Sequence, residues 1–348
     1  MVTLTELLMQ DAASGSKDSL EFQHVYVQLE TVRSDVTKSN KPYFELTLVD
    51  ATAKSKIKIW SDTAAFEFCK SCQVAESCEL EGRFFVNDFG LNVLEPRLRR
   101  LSDEEKDAFF SGTAEQQQRI EIDWAYVTGV VEQMEDSRLR LVTSLALQQF
   151  EKKWKRAAAA RSYHHARRGG LIEHTSQMMR CAKALAPLYQ EVHEDLLCAG
   201  VLFHDIGKLV ENDLGAEGFA IQQTRTGELI GHISIGIEMV NKLWHEAEQS
   251  EPELFKEAQP SSLVLRDYLL HLIASHHGEM AFGSPVIPKM PEAWLLHYID
   301  NIDAKIEILR GSYARGMTND AGFFEAQRPL TGFIARPLNE LTGQNEQE

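Results

Sequence analysis

The run Leu202-Phe203-His204-Asp205-Ile206-Gly207-Lys208 sets an imidazole and a carboxylate side by side at the end of an apolar segment. That segment, from Leu196 to Phe203, reads as a buried helix that Gly207 breaks. A carboxylate buried there without a partner would cost several kcal/mol, so Asp205 calls for a cation. Imidazole and carboxylate are the ligands that borderline and hard divalent metals prefer. More of the same groups follow the pattern: His174 upstream, then His232, His276-His277 and Asp300 downstream. Each falls on or at the end of a segment whose apolar residues recur every three or four positions, near 171–187, 194–206, 232–248, 262–277 and 292–310. Side chains converging from separate helices are how a bundle builds a metal centre. A carboxylate such as Asp205 can bridge two ions while His204 holds one of them. Two ions about 3.5–4 Å apart can generate a nucleophile and clamp a phosphoryl group, so the expected chemistry is cleavage of a phosphate ester.

Working toward the N-terminus, the texture changes to β. Alternating runs at 22–29, 43–50, 56–60, 77–86 and 91–94 have turn residues between them. Asn87-Asp88-Phe89-Gly90 reads as a hairpin turn, since these residue types tolerate turn geometry. Five short strands, with a helix-like Ala64–Lys70 between the third and fourth, predict a small closed barrel of OB type. Such barrels hold single strands by stacking bases on aromatic side chains. The candidates are Tyr26, Tyr43, Phe44, Trp60, Phe84, Phe85 and Phe89, about half of which alternation must send to the core. A short helix leads the chain within residues 1–10. Ser102-x-x-Glu105 resembles a capping box, and 120–160 is helical in texture, with Val127 to Met134 expected to pack on the next domain. The expected fold class is multidomain α+β. Residues 1–110 form an OB-like barrel, 111–160 a helical linker, 161–325 an all-α metal-dependent hydrolase bundle, and 326–348 a polar tail.

Composition narrows the setting. Charged residues make up 25% and hydrophobic residues 43%, as in ordinary globular chains. No apolar run approaches the roughly 18 residues of a membrane span, and the start lacks the basic n-region of a secretory signal. Five cysteines, an odd count, argue for reduced thiols in a cytoplasmic protein. Cys69-x-x-Cys72 has no second Cys or His pair at finger-like spacing, so it reads as free thiols. A net charge of −16 disfavours whole-surface attraction to nucleic acid. A local basic channel remains open, because residues 152–168 hold seven Lys and Arg and no acid, and Arg97, Arg99 and Arg100 form a second cluster. Both also read as solvated surface.

Within the metal-type set, Asp303 lies one turn past Asp300 and reads as a ligand or a supporting partner. Lys208, four residues after His204, would neutralise a non-bridging phosphate oxygen. Its alternative is a helix C-terminal charge. His193, His245, His271 and His297 read as structural, and His164 and His165 flank the basic run.

The stretches Gly169-Gly170-Leu171-Ile172-Glu173-His174-Thr175, Phe203–Lys208, Gly227-Glu228-Leu229-Ile230-Gly231-His232-Ile233, Ser275-His276-His277-Gly278 and Leu296–Lys305 together resemble the HD superfamily of metal-dependent phosphohydrolases. With the preceding barrel, the chain resembles the YhaM family of 3′-5′ exoribonucleases. The resemblance implies two divalent ions, manganese first, with iron, cobalt or magnesium as alternatives. It implies stepwise release of nucleoside 5′-monophosphates from single-stranded RNA or DNA. It makes His174, His204, Asp205, His232, His276, His277 and Asp300 the metal ligands, with Asp205 and Lys208 catalytic. Lys208, Arg167, Arg168, Asp303 and Lys305 then fall on the substrate side. No membrane partner is expected, and a homo-oligomer is left open. The metal pattern also resembles cyclic-dinucleotide phosphodiesterases of HD-GYP type, which carry Gly-Tyr-Pro after the double His; here Gly278-Glu279-Met280 follows instead. The alternative functions are thus a phosphohydrolase of small or cyclic nucleotides and a non-catalytic RNA-binding protein with a structural metal.

Overall fold

A computed structural model describes residues 2–9, 20–87, 90–159, 167–213, 222–314, 316, 318–326 and 329–338. The chain divides into two compact units: 1–114 with 214–221 and 310–348, and 115–213 with 222–309.

The first unit opens with α1 (Leu4–Leu8), closed at its N-terminus by a Thr3/Glu6 capping box. An antiparallel sheet follows, built from β1 (Gln23–Val36), β2 (Pro42–Val49), β3 (Lys54–Trp60), β4 (Ser77–Asn87) and β5 (Gly90–Arg100), with α2 (Ala64–Cys69) between β3 and β4. The strand order is β3-β2-β1-β4-β5. Each expected strand is present, but β1 and β5 run well past the alternating cores that marked them. The expected closed barrel is corrected to an OB-like open sheet: β3 and β5 approach within 8 Å but form no ladder. Bulges bend the long strands. Glu30 is the extra residue where the β1–β2 register shifts, and Glu95-Pro96 on β5 faces Gly82 on β4. A side chain at Gly82 would lie 2.4 Å from Val93, so only glycine lets the bulged strand close in. The core gathers Val25, Val27, Leu29, Leu46, Leu48, Ile57, Ile59, Leu80 and Phe84 with Leu4 and Leu7 of α1. Cys69 and Cys78 are buried there, and all five cysteines are free. The strands end at α3 (Asp103–Ser111), whose Ser102/Glu105 capping box is complete. The tail holds only a two-stranded patch of β8 (Phe324–Glu325) and β9 (Phe333–Ile334) among its described residues, after the pair β6 (Asn212–Asp213) and β7 (Gln222–Gln223) of the other unit.

The second unit is helical. It comprises α4 (Ala114–Glu132), α5 (Ser137–Trp154), α6 (Gly170–Leu185), α7 (Glu194–Phe203), α8 (Lys208–Glu211), α9 (Arg225–Ile230), α10 (His232–Ser250), α11 (Pro252–Phe255), α12 (Ser262–Ser275) and α13 (Pro291–Ala314). Side chains that satisfy the first backbone N–H groups start several of them: Asp136 for α5, Thr224 for α9 and Ser261 for α12. One core unites the helices. Val127, Val130, Val131 and Met134 of α4 and its following turn, inside the stretch expected as a linker, pack with Leu197, Val201 and Leu202 of α7, Leu272 of α12 and Leu296 of α13.

Candidate metal centre

The apolar α7 carries His204 and Asp205 at its end, sunk in that core. His204 is 1% exposed and Asp205 3%. The expected break is present as the turn 204–207 between α7 and α8, but it needs no left-handed Gly207. Its backbone is right-handed helical, and the chain turns directly into α8. Its role is proximity: a Cβ at position 207 would sit 1.9 Å from the carbonyl oxygen of His232, so glycine lets α8 and the start of α10 meet. Gly231 has φ of +76°, and after it His232 opens α10.

Around Asp205 the imidazoles form two groups, His174 and His204 with Asp205 itself, and His232, His276 and His277. Asp205 turns one oxygen to each. Its Oδ2 lies 3.3 Å from His204 Nε2 and 3.9 Å from His174 Nε2. Its Oδ1 lies 3.5 Å from His232 Nε2 and 3.8 Å from His276 Nε2. Asp300 Oδ1 closes the first group, 3.4 Å from His174 Nε2. Most of these separations are too long for good hydrogen bonds, and Asp205 Oδ1, His232 Nε2 and His276 Nε2 are buried with no hydrogen-bond partner. Native folds rarely leave such atoms unpaired.

Every ring has its other nitrogen engaged. Nδ1 of His204 faces the carbonyl of Val201 at 2.8 Å, that of His276 the carbonyl of Ile273 at 2.8 Å, and that of His277 the carbonyl of Phe282 at 2.8 Å. His174 Nδ1 meets Asp303 Oδ2 at 2.6 Å, and His232 Nδ1 lies 3.4 Å from Glu211 Oε1. A carbonyl can only accept, so Nδ1 carries the proton in those three rings and Nε2 offers its lone pair inward. Orientation of imidazoles by a second set of acceptors is the habit of metal-binding histidines. The donor set and its orphaned atoms fit divalent cations.

Charge divides the rings. Burial opposes charge on His174, but Asp300 and Asp303 outweigh it and push the imidazole up to about 10. Burial pushes His276 well down, helped by the neighbouring rings, and lowers His277 as well. Burial would raise Asp205, yet Lys208 and His204 hold it well below the usual carboxylate range. The Lys208 ammonium sits 2.5 Å from Asp205 Oδ2.

The remaining expected residues divide. Asp303 is drawn into the cluster through His174. Arg167 is held by Glu173 at 2.7 Å and Glu307 at 2.6 Å, an ion-pair link between α6 and α13. Burial lowers the Arg168 guanidinium, and Arg156 adds to that. Lys305 is half-buried on α13, five residues from Asp300 and so about 140° round the helix. The histidines read as structural have ordinary partners: His193 accepts from the N–H of Leu196, His271 from that of Lys289, His297 Nδ1 faces the carbonyl of His276, and His245 pairs with Glu248. His164 and His165 lie outside the described residues. Sequence reasoning missed Glu211, which accepts from the N–H of His232 at 3.1 Å as well as facing its ring. Its position three residues after Lys208 on α8 was the available signal.

Residues 171–305 match the HD domain family. The chain is also similar to a 3′-5′ exoribonuclease YhaM from Geobacillus sp. (strain WCH70), 30% identical over 288 residues, which is 82% of this chain and 83% of that protein. Among the described residues, no helix is long and apolar enough to cross a membrane.

Proposed function

This chain belongs to the YhaM family of HD-domain 3′-5′ exoribonucleases, and from that premise we propose how its residues divide the work. It is a metal-dependent 3′-5′ exonuclease, and its substrate is read as single-stranded RNA, with single-stranded DNA as a second polymer to test. His174, His204, Asp205 and Asp300 would hold one divalent ion, and Asp205 with His232, His276 and His277 a second. Manganese is the ion we would supply first. Bound there, the ions would supply Lewis acidity toward the phosphate and a nucleophile at neutral pH. The observation that carries this reading is Asp205, whose two oxygens face the two histidine groups.

The chain's own groups do the rest. The carbonyls of Val201, Ile273 and Phe282 hold three rings in one tautomer. Asp303 and Glu211 orient His174 and His232. Lys208 keeps Asp205 ionised, and its ammonium is placed to neutralise a non-bridging oxygen of the scissile phosphate. Arg168 and Lys305 are the cations we assign to the polymer backbone, whereas Arg167 serves the fold through Glu173 and Glu307.

We assign the first unit the task of gathering single strand. Of its aromatic candidates, Phe84 is buried, Phe44 packs on Phe66, and Phe89 lies outside the described residues. Tyr43 and Trp60 stay half-exposed with centroids 5.3 Å apart, Lys58 over the first ring and Lys41 over the second. Beside Trp60 lies a groove of about 750 Å³ bounded by Lys41, Val93 and Arg97. Paired rings flanked by ammonium groups suit stacked bases and their phosphates. The free thiols suit a reducing cytoplasm.

The test is 5′-labelled single-stranded RNA and DNA incubated with the manganese-loaded protein. A ladder shortening from the 3′ end, lost in Asp205→Asn while RNA binding survives, is the expected result. Undiminished hydrolysis by Asp205→Asn would refute the assignment.

A further inference from the structure

Three of the five cysteines meet at the edge of the first unit's core. Cys69 ends α2, Cys72 follows it across a turn, and Cys78 lies in β4. Cys69 and Cys78 are buried, and Cys72 between them is half-buried. The turn is closed by the N–H of Cys72, which donates to the carbonyl of Cys69 at 3.2 Å. The Cys72 thiol is in hydrogen-bond contact with both buried sulfurs, and its Sγ lies 3.5 Å from the carbonyl of Phe68. Neither the metal-type cluster nor the groove beside Trp60 uses these thiols.

A cation stands beside them. Arg100 is opposite Cys78 in the β4–β5 ladder. Its guanidinium donates to the carbonyl of Ser71 at 3.1 Å, lies 5.0 Å from the centre of the Phe68 ring and pairs with Glu76. Hydrogen bonds from Cys69 and Cys78, with the guanidinium nearby, outweigh burial and lower the Cys72 thiol. Cys69 and Cys78 are pushed the other way, by the same contact with Cys72 and by burial. One sulfur reachable from water is thus a nucleophile, and its neighbours keep their protons. Accessible, low-pKa thiols with a second thiol alongside are the ones that oxidation selects. Three sulfurs closing on one point would instead suit a soft metal ion. Among the described residues, the donor groups whose ligand atoms all lie within 4.8 Å of one another do not include this trio. Cys72 is flanked by two thiols and forms no ring with them.

We propose that Cys72 is a modification site for hydrogen peroxide and that Cys69 resolves it as a disulfide. The inference stands independently of the exonuclease reading. The Cys72 thiolate attacks one peroxide oxygen and the O–O bond breaks. The departing hydroxide takes up a proton and leaves as water, and Cys72 holds a sulfenic acid. The Cys69 sulfur then attacks Cys72 Sγ and the S–O bond breaks. The second hydroxide leaves with the Cys69 proton, again as water. Two thiols have given up two electrons, one peroxide has taken them, and one S–S bond has formed. Freedom to adjust selects Cys69 over Cys78. A turn sets its end Cα atoms less than about 7 Å apart, which is within the reach of a disulfide. Cys78 is held in β4 between β1 and β5.

The experiment exposes reduced full-length protein to hydrogen peroxide, then denatures it and alkylates the remaining thiols. All five cysteines should label before exposure and two fewer after it, with the loss reversed by dithiothreitol. Tryptic mapping identifies the bond, because cleavage after Lys70 separates Cys69 from Cys72, whereas Cys72 and Cys78 stay together in 71–83. The expected product links 59–70 to 71–83 and carries the alkyl label on Cys78. In the native reduced protein, iodoacetamide should modify Cys72 about tenfold or more faster than Cys181, which is also half-buried but whose thiol burial raises. Cys72→Ser should abolish the paired loss of label. The mapping is read on the wild type, so it decides even where a variant folds poorly. A bond closed within 71–83 would make Cys78 the partner and overturn the pairing. Five labels retained after peroxide, or oxidation spread evenly over the five cysteines, would overturn the site itself.

Discussion

His174 Nδ1 and Asp303 Oδ2 lie 2.6 Å apart, both side chains buried. On the proposed reading Asp303 positions His174, and its effect should appear in metal affinity. Asp303→Asn is expected to weaken manganese binding by about 10- to 100-fold. Activity titrated against manganese, together with direct calorimetry, reads this. An unchanged dissociation constant would remove Asp303 from the site.

Lys208 touches Asp205 but belongs to neither histidine group. Lys208→Met keeps the stem and removes the charge. If the ammonium stabilises charge developing on phosphate, kcat should fall on the order of 100-fold, with bound metal retained. Loss of metal together with activity would mean that Lys208 only holds Asp205.

Glycine at 207 is a requirement of space. Gly207→Ala would drive a methyl into the carbonyl of His232, which lies 1.9 Å from the ideal Cβ. The expected cost is about 1–3 kcal/mol or more, with activity lost as His232 moves. Gly129 in α4 is the contrast: nothing lies within 4 Å of its Cβ position. Gly129→Ala should therefore stabilise by about 0.5–1 kcal/mol. Thermal melts of both variants check the pair.

Asp136 gives a pH-dependent stability. Burial would raise its carboxyl, but Arg138 and the N–H groups of Arg138 and Leu139 outweigh that and hold it below the usual range. A carboxyl depressed in the folded state stabilises above its unfolded value of about 3.9, and the stabilisation is lost as pH falls through the folded value. Asp136→Asn keeps a capping oxygen and removes the charge. Its deficit in urea unfolding should be largest near neutrality and should shrink below about pH 4. A deficit constant from pH 7 to pH 3 would contradict this.

Metal should stabilise the helical unit directly, since an ion that binds only the folded state adds RT ln(1 + [L]/Kd), about 2.7 kcal/mol at a hundredfold excess over Kd. Chelation is expected to lower the melting temperature of wild type and to leave that of a His204→Ala, His276→Ala double variant nearly unmoved.

The ligand-type residues were legible because imidazole and carboxylate are conspicuous on apolar helices. Asp205 is the plainest case, since nothing but a cation explains it there. What orients them was harder to see. His204 and His276 each turn Nδ1 to the carbonyl three residues back, a local device that helix geometry could have suggested. Glu211 and Asp303 act across elements, and only folding brings them to their rings. Arg167 shows the opposite limit: the sequence presents it as one cation of a basic run, and only the fold pairs it with Glu307, 140 residues away. In the first unit, alternation marked the strands' centres but not their ends, because β1 and β5 continue through bulges where the period of two is interrupted. The open seam was equally hidden, since whether β3 pairs with β5 depends on how the sheet curls.

That seam has a further consequence. A sheet that does not close keeps two margins with unsatisfied backbone groups, which invite strands from other molecules. Here β3 carries Lys54, Lys56 and Lys58 along its length, and β5 carries Pro96, which has no N–H to offer, beside the kink at Glu95. Long charged side chains, two of them paired with Glu30 and Glu45, hinder a strand from docking on one margin, and an imino acid interrupts a ladder on the other. The two margins of the unsealed sheet are thus each blunted against edge-to-edge pairing, by a different device.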